Sequence, residues 1–361
     1  MRANVTFAAI DKYVESNIVS PREQLVRGKE YIEWGEGNRY PDYLMSLYKG
    51  ANTLHSIINS LTDYIVGNDV KANRAANTTG ETMRELTRKI ALDYAIYGGY
   101  ALQAIRDRTG NVAELYHVDM RYLRTNKKQD VFWYSEDWGK RTKALVYPKY
   151  MQLDWAKLTD EQRNEHASSI IFYKSDHTQV YPFPLYGAQS SIIACELERL
   201  VGEYHINEVS NGFAATMFIN FNNGVPEDEV KEEIEKDVLE KFTGTKNAGR
   251  VGLSWNDDKD HATTLESVKV ENYLDKYNSL QKYAEKQIYA AFRANPNLFG
   301  IPTENLGFNQ EEYESAFKLF NRTIVQPVQA AIVETYTKVL GEGAVQIVPF
   351  EIESNNTNIV E

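Results

Sequence analysis

The chain has 361 residues, 42 % of them hydrophobic, and 40 Lys and Arg against 51 Asp and Glu give it a formal charge of −11. That length allows two or three domains with a sizeable core, and the ordinary apolar fraction excludes wholesale disorder. The acidic balance excludes a protein that grips nucleic acid by neutralising phosphates over a broad surface, and a single cysteine excludes an intrachain disulfide framework.

Aromatic content is the unusual entry in the composition, with 24 Tyr and 14 Phe. Tyrosine is an amphipathic ring suited to wet interfaces, so much contact surface is expected. The start "MRANVTFAAIDKYVES" is charged and has no continuous apolar run, so no signal peptide is expected. No window approaches the roughly 18 uncharged apolar residues that a membrane span needs. A soluble, intracellular protein in a reducing compartment is the expectation.

Residues 1 to 39 end in the turn-rich "EWGEGNRYP" and read as an arm that docks on something else. From Pro41, Leu44, Leu47, Tyr48, Ile57, Ile58, Leu61 and Ile65 keep helical spacing up to a stop at Gly67. "NTTGETMRELTRKIALDYAIYGG" repeats the design, with Leu86, Ile90, Tyr94 and Tyr97 on one face and a glycine pair at the end. Period two then takes over. "YALQAIRD", "AELYHVD", "RYLRTN", "VFWYSE" and "KALVYP" predict a meander of antiparallel strands, and "SSIIFYKS" adds another strand. Helices followed by a run of strands make residues 40 to 186 an α+β domain.

Ile193, Leu197, Leu200, Val201 and Tyr204 form a helical stripe over residues 187 to 211, roughly 37 Å at about 1.5 Å per residue. Cys195 falls inside this pattern as a small core residue. Residues 213 to 265 then read as strand "ATMFINF", helix "PEDEVKEEIEKDVLEKF" and strand "RVGLSW". Pro226 with Glu227 and Asp228 suits the positive end of a helix dipole. A second long helix over residues 271 to 294 has Tyr277, Leu280, Ala284, Ile288, Ala291 and Phe292 as its stripe. Two helices of similar length bracketing a compact insert suggest an antiparallel stalk with a folded tip. The following loop contains Pro296, Gly300, Pro302 and Gly307, yet also the apolar Leu298, Phe299, Ile301, Leu306 and Phe308. A last long helix covers residues 309 to 340, and Pro327 inside it should bend it, because proline lacks the N–H and crowds the carbonyl at Thr323. "AVQIVPFEI" is a final strand before a polar tail.

Catalytic signatures are absent. "GTKNAGR" has the glycines of a phosphate loop but lacks the Gly-Lys-Ser/Thr ending. No Gly-x-Ser-x-Gly, His-Glu-x-x-His or Cys-x-x-Cys occurs. Asp257, Asp258, Asp260 and His261 could ligate a divalent cation or form a solvated turn, and the turn is the expected state. His117 and Asp119 share a strand face, and Asp176 and His177 share a loop, without a third partner. On the charged helix of the insert, Glu229, Glu232, Glu233, Lys236, Glu240 and their neighbours are either a solvated face or a rim of carboxylates for a partner. No cofactor, resident metal or catalytic residue is expected.

Five segments in order resemble the portal (head–tail connector) proteins of tailed double-stranded DNA bacteriophages. "YPDYLMSLYKGANTLHSIINSLTDYIVG" is similar to the family's early helix ending in Ile-x-Gly, and "AIYGGYALQAIRDRTGNVAELYHVDMRYLR" to its Gly-x-Ala strand and the strand after it. "YPFPLYGAQSSIIACELERLVGEYHINEVSNGFAATMFINF" resembles its Tyr-Gly helix, with "VSNGF" at the helix end. "IYAAFRANPNLFGI" and "FKLFNRTIVQPVQAAIVETYTKVL" resemble the Pro-x-x-Leu-Gly segment and the Thr-Ile-x-Pro helix.

The resemblance implies a ring of about twelve identical subunits at one capsid vertex. Residues 40 to 186 would be the first part of the wing, and residues 187 to 212 and 266 to 294 the stem helices. Residues 213 to 265 would be the clip, and residues 309 to 361 the kinked wing helix and tail. The tunnel loop, residues 295 to 308, would narrow a channel for double-stranded DNA with Asn297, Leu298, Phe299, Gly300, Ile301, Pro302, Thr303, Glu304, Asn305 and Leu306. Its apolar residues would pack against neighbouring loops or the wing, or fill the core of their own subunit, and Glu304 and Asn305 would face DNA.

The implied partners are the terminase large subunit, a head–tail adaptor and the major capsid protein. The implied location is the virion, with the host cytoplasm during assembly. Many portals carry a helical crown after the last wing helix, and this sequence implies one that is missing or vestigial. An acidic conduit suits a channel past which DNA slides. Two other readings stay open: a metal-dependent nuclease or nucleotidyltransferase built on residues 257 to 261, and a protein-binding adaptor that forms no ring.

Overall fold

A computed structural model gives the fold and describes residues 18–138, 144–210, 217–221, 251–255, 273–299 and 310–351, with single positions at 227, 230 and 234. Two compact units emerge, one from Met1–Cys195 with Lys286–Glu361, the other from Glu196–Glu285.

In the larger unit, β1 (Gln24–Leu25) and β2 (Ile32–Glu33) form a short antiparallel pair. Trp34 follows, 1 % exposed, and stacks on Tyr181 with ring centroids 4.7 Å apart. Residues 18–39 therefore pack on their own unit rather than only on another molecule.

The single helix expected from Pro41 to Gly67 is two helices, α1 (Tyr40–Gly50) and α2 (Asn52–Val66). Ala51 between them is extended, at φ −103° and ψ 114°. The break follows Gly50, a residue that costs about 1 kcal/mol in a helix relative to alanine. At the end of α2, Gly67 takes φ 71°, and a Cβ there would lie 2.1 Å from the Val348 carbonyl oxygen. That carbonyl belongs to β12 (Val345–Val348), which pairs antiparallel with β3 (Asp69–Ala72).

Helix α3 (Met83–Tyr97) matches its sequence pattern closely. Thr82 and Glu85 form a capping box at its start, and Gly98 closes it in the left-handed region at φ 81°. Leu54, Ile57, Ile58 and Leu61 of α2 and Leu86 and Ile90 of α3 are fully buried where the two helices pack. Each such aliphatic side chain contributes about 1.5–3 kcal/mol through burial.

All six expected strands form, but as two sheets. β4 (Gly99–Arg106) lies between β5 (Val112–Val118) and β9 (Ser168–Lys174), while β6 (Leu123–Thr125), β7 (Val131–Tyr134) and β8 (Leu145–Pro148) make the second sheet. A continuous meander would have left β4 on an edge. Tyr100, Ala101, Leu102 and Ala104 are buried on both faces, however, which suits a central strand, and β9 returns to cover its open side. A short helix, α4 (Asp160–His166), opens with a second capping box from Thr159 and Gln162.

The two long helices are α5 (Gln189–Ser210) and α6 (Tyr273–Ala291), within two or three residues of expectation. The buried face of α5 differs from the expected stripe by one position. Ile193 is 42 % exposed, whereas Ile192 and Cys195 are buried. In the smaller unit, β10 (Met217–Phe221) and β11 (Val251–Trp255) pair in parallel. Parallel neighbours need a crossover between them, in keeping with a strand–helix–strand unit. The expected helix itself lies outside the described residues, apart from Glu227, Val230 and Ile234.

The last long helix is read as α7 (Gln310–Phe320) and α8 (Gln326–Leu340), joined by a π turn at Asn321–Val325. There the Gln326 N–H donates to the Asn321 carbonyl five residues back. The register thus slips just before Pro327, which falls in the first turn of α8, where a missing N–H is tolerated. Among the described residues no helix is long and apolar enough to cross a membrane.

Candidate functional site

The described root of the apolar loop is built into the larger unit. After α6, Arg293 takes a left-handed φ of 53° and turns the chain. Asn295 then closes a 3-10 turn over Pro296–Phe299: its side-chain oxygen accepts from the Asn297 N–H at 3.0 Å, and its carbonyl accepts from the Leu298 N–H at 3.0 Å. Leu298 is 5 % exposed.

Tyr64, in the last turn of α2, holds this turn in place. Its hydroxyl donates to the Leu298 carbonyl at 3.0 Å. Its ring lies 6.4 Å from Phe299, 5.8 Å from Phe317, 6.1 Å from Phe320 and 5.6 Å from Phe350 between centroids. Phe299 also meets Tyr289 and Phe320, each at 5.8 Å. Edge-on and tilted aromatic pairs of this kind add about 0.5–1.5 kcal/mol each beyond area burial. Burial pushes the Tyr64 hydroxyl well above the usual phenol range, so it stays a donor.

Two further ties converge on the same helix end. Gln329, buried on α8, donates from Nε2 to the carbonyls of Tyr64 at 3.2 Å and Ile65 at 3.1 Å, which a helix C-terminus would otherwise leave unsatisfied. The Asn68 N–H donates to the Val348 carbonyl at 3.0 Å. The root of the loop, the end of α2, the last helix and the last strand thus meet at one aromatic cluster.

Of the proposed loop residues, Asn297, Leu298 and Phe299 belong to this cluster or its turn, and Leu298 and Phe299 fill their own unit. Gly300, Ile301, Pro302, Thr303, Glu304, Asn305 and Leu306 lie outside the described residues, as do Glu229, Glu232, Glu233, Lys236, Glu240 and the group Asp257, Asp258, Asp260 and His261. Tyr64 escaped the sequence reading because its partners are far away in the chain. The signal was there in the polar-tipped ring that ends an otherwise aliphatic stripe.

His117 pairs with Asp93 of α3 rather than with Asp119: Nε2 lies 2.8 Å from Oδ2. Asp119 instead caps the turn after β5 and forms an ion pair with Arg121 at 2.6 Å. Burial pulls the His117 imidazole down, but the Asp93 carboxylate more than offsets it, so the net shift is upward. Burial pushes Asp93 up in turn. Asp176 accepts from the N–H and hydroxyl of Thr178 and so shapes its own loop. Among the described residues no group of three or more His, Cys, Asp or Glu could hold a metal.

The fold and the sequence both have relatives. Over 91 % of this chain and 86 % of the other, the structure matches a protein in the neck of a native gene transfer agent particle computed with C12 symmetry, at TM-score 0.54 and 17 % identity. A chain from the virion of a native gene transfer agent particle matches over 94 % of this chain and 88 % of its own, at TM-score 0.54 and 17 % identity. At these identities the likeness is one of fold. An uncharacterised protein of Rickettsia bellii (strain RML369-C) is 23 % identical over 189 residues, half of this chain and 46 % of that relative, so the match spans about half of its length. The family described as phage portal protein matches residues 73–358. With most of the chain, residues 73–358, inside that match, the chain belongs to the phage portal protein family.

Proposed function

We propose that the chain is one subunit of a portal ring of about twelve copies, the channel through which double-stranded DNA is packaged and ejected. The family match over residues 73–358 is the observation that carries this reading. The fold likeness to a neck protein from a particle computed with C12 symmetry supports it. In this reading residues 213 to 265 are the clip that meets the terminase large subunit and then a head–tail adaptor, and the wing meets the major capsid protein. The subunit performs no catalysis, and ATP hydrolysis belongs to the terminase.

The tunnel loop in this reading springs from the aromatic cluster around Tyr64. Anchoring at Leu298 and Phe299 leaves residues 300 to 308 as the part that reaches toward DNA. A photo-crosslinking residue placed at Glu304 in DNA-filled particles tests this directly. Crosslinks to DNA are expected from position 304 and none from a control at the exposed Arg88. Equal yields at the two positions, or none at 304, would remove the loop from the DNA path.

A further inference from the structure

At the C-terminal end of α8 a cleft of about 470 Å³ opens among Arg74, Arg106, Tyr150, Gln152, Lys338 and Leu340. The chain as a whole is acidic, yet among the described residues no Asp or Glu lines this cleft. The Arg106 guanidinium stands 4.6 Å from the Tyr150 ring and 5.7 Å from the Trp155 ring and donates to the carbonyls of Gly110 and Met151. Its Nε is buried without an acceptor. Among the described residues Arg74 donates only to the carbonyls of Ala75, Val112 and Ala113.

Carbonyls orient both guanidiniums without neutralising them, and among the described residues neither makes an ion pair. Lys338 pairs with Glu334 at 2.6 Å on an exposed helix face, where such a pair is worth little. Glu114 senses Arg74, but its main partners are Thr78 and Tyr116.

The opposite wall has the reverse polarity. The last turn of α8 turns its carbonyl end to the cleft: Thr337 and Lys338 already accept from the Gly341 N–H at 3.0 Å and from Gln152 Nε2 at 3.2 Å, and Val339 and Leu340, which also line the cleft, carry the helix's last carbonyls, which have no donor within the helix. A bare anion satisfies the guanidiniums but is repelled by the negative end of a helix dipole. A peptide with acidic side chains satisfies both walls, offering carboxylates to arginine and N–H groups to carbonyls.

We propose that this cleft binds a short, extended acidic segment of a partner protein, its carboxylates on Arg74 and Arg106 and its backbone N–H groups on the last turn of α8. The stacking of Arg106 on two rings fixes its fork before binding, which lowers the ordering cost. Neither the ring nor the DNA channel is needed for this inference.

The test titrates the full-length protein with an acetylated, amidated hexaglutamate peptide, followed by calorimetry. Saturable binding that weakens about tenfold or more in the double variant R74Q/R106Q is expected, with Arg88→Gln unchanged. A hexaglutamine peptide should not bind, and inorganic phosphate at equal concentration should not compete. The single variant Arg74→Gln leaves the ring stack intact and keeps the test usable if the double variant does not fold. Unchanged affinity in Arg74→Gln, or displacement of the peptide by phosphate or by a short DNA duplex, overturns the proposal.

Discussion

Residues 1–195 with 286–361 carry 30 basic against 32 acidic residues, whereas residues 196–285 carry 10 against 19, a formal −9 of the chain's −11. The larger unit buries aliphatic residues completely, among them Leu54, Ile57, Leu61 and Ile332. The smaller one leaves Ile206 at 66 %, Tyr283 at 54 %, Val230 at 45 % and Leu280 at 41 % exposed. Exposed apolar side chains occur on both, since Leu25, Leu145, Val146 and Leu319 of the larger unit are also exposed. What separates the two is charge and a fully buried aliphatic core: one unit is close to neutral and built around such a core, and the other carries most of the chain's negative charge.

The largest effects should follow that division. Leu61→Ala, at a fully buried position of α2, should cost about 2–5 kcal/mol in denaturant unfolding, because it combines lost burial with a cavity. Ile206→Ala in the smaller unit should stay within about 0.5 kcal/mol for the isolated subunit. Comparable losses at both positions would break the comparison.

A smaller effect sharpens the account of the loop root. Tyr64→Phe keeps the ring cluster and removes the hydrogen bond to Leu298, and should cost about 0.5–1.5 kcal/mol with faster amide exchange across residues 295–299. Unchanged exchange there would mean that the hydroxyl does not hold the turn.

The smallest effect is a pH dependence confined to the larger unit. His117 and Asp93 both hold protons more tightly in the native state than in the unfolded chain. The native state therefore binds more protons, and stability should fall as pH rises. The histidine contribution is fully present below the ordinary value of 6.5 and is lost as pH passes through the raised value; the Asp93 shift acts in the same direction from the ordinary 3.8 upward. His117→Gln should flatten the slope of unfolding free energy between neutral and mildly alkaline pH. A slope unchanged by that substitution would remove the pair from the account.

Local chemistry made much of this fold legible. Thr82, Glu85 and Gly98 mark both ends of α3 because capping is decided within a few residues. The period-two runs located every strand of the two central sheets. Pairing was not legible, since nothing in "SSIIFYKS" says that β9 returns to β4 rather than extending from β8. β3 was missed because Val70 is its only buried residue.

The Asp93–His117 pair left a trace, an acid among the buried residues Ile90, Tyr94 and Tyr97, but its partner lies 24 residues away. The cationic cleft left none: Arg74, Arg106 and Lys338 come from three distant segments that only the tertiary fold brings together.

Ring assembly is the central claim, and native mass spectrometry of the full chain at high concentration over a range of salt tests it most directly. A closed ring of about twelve subunits is the expected result. A monomer or dimer at every salt concentration would contradict it.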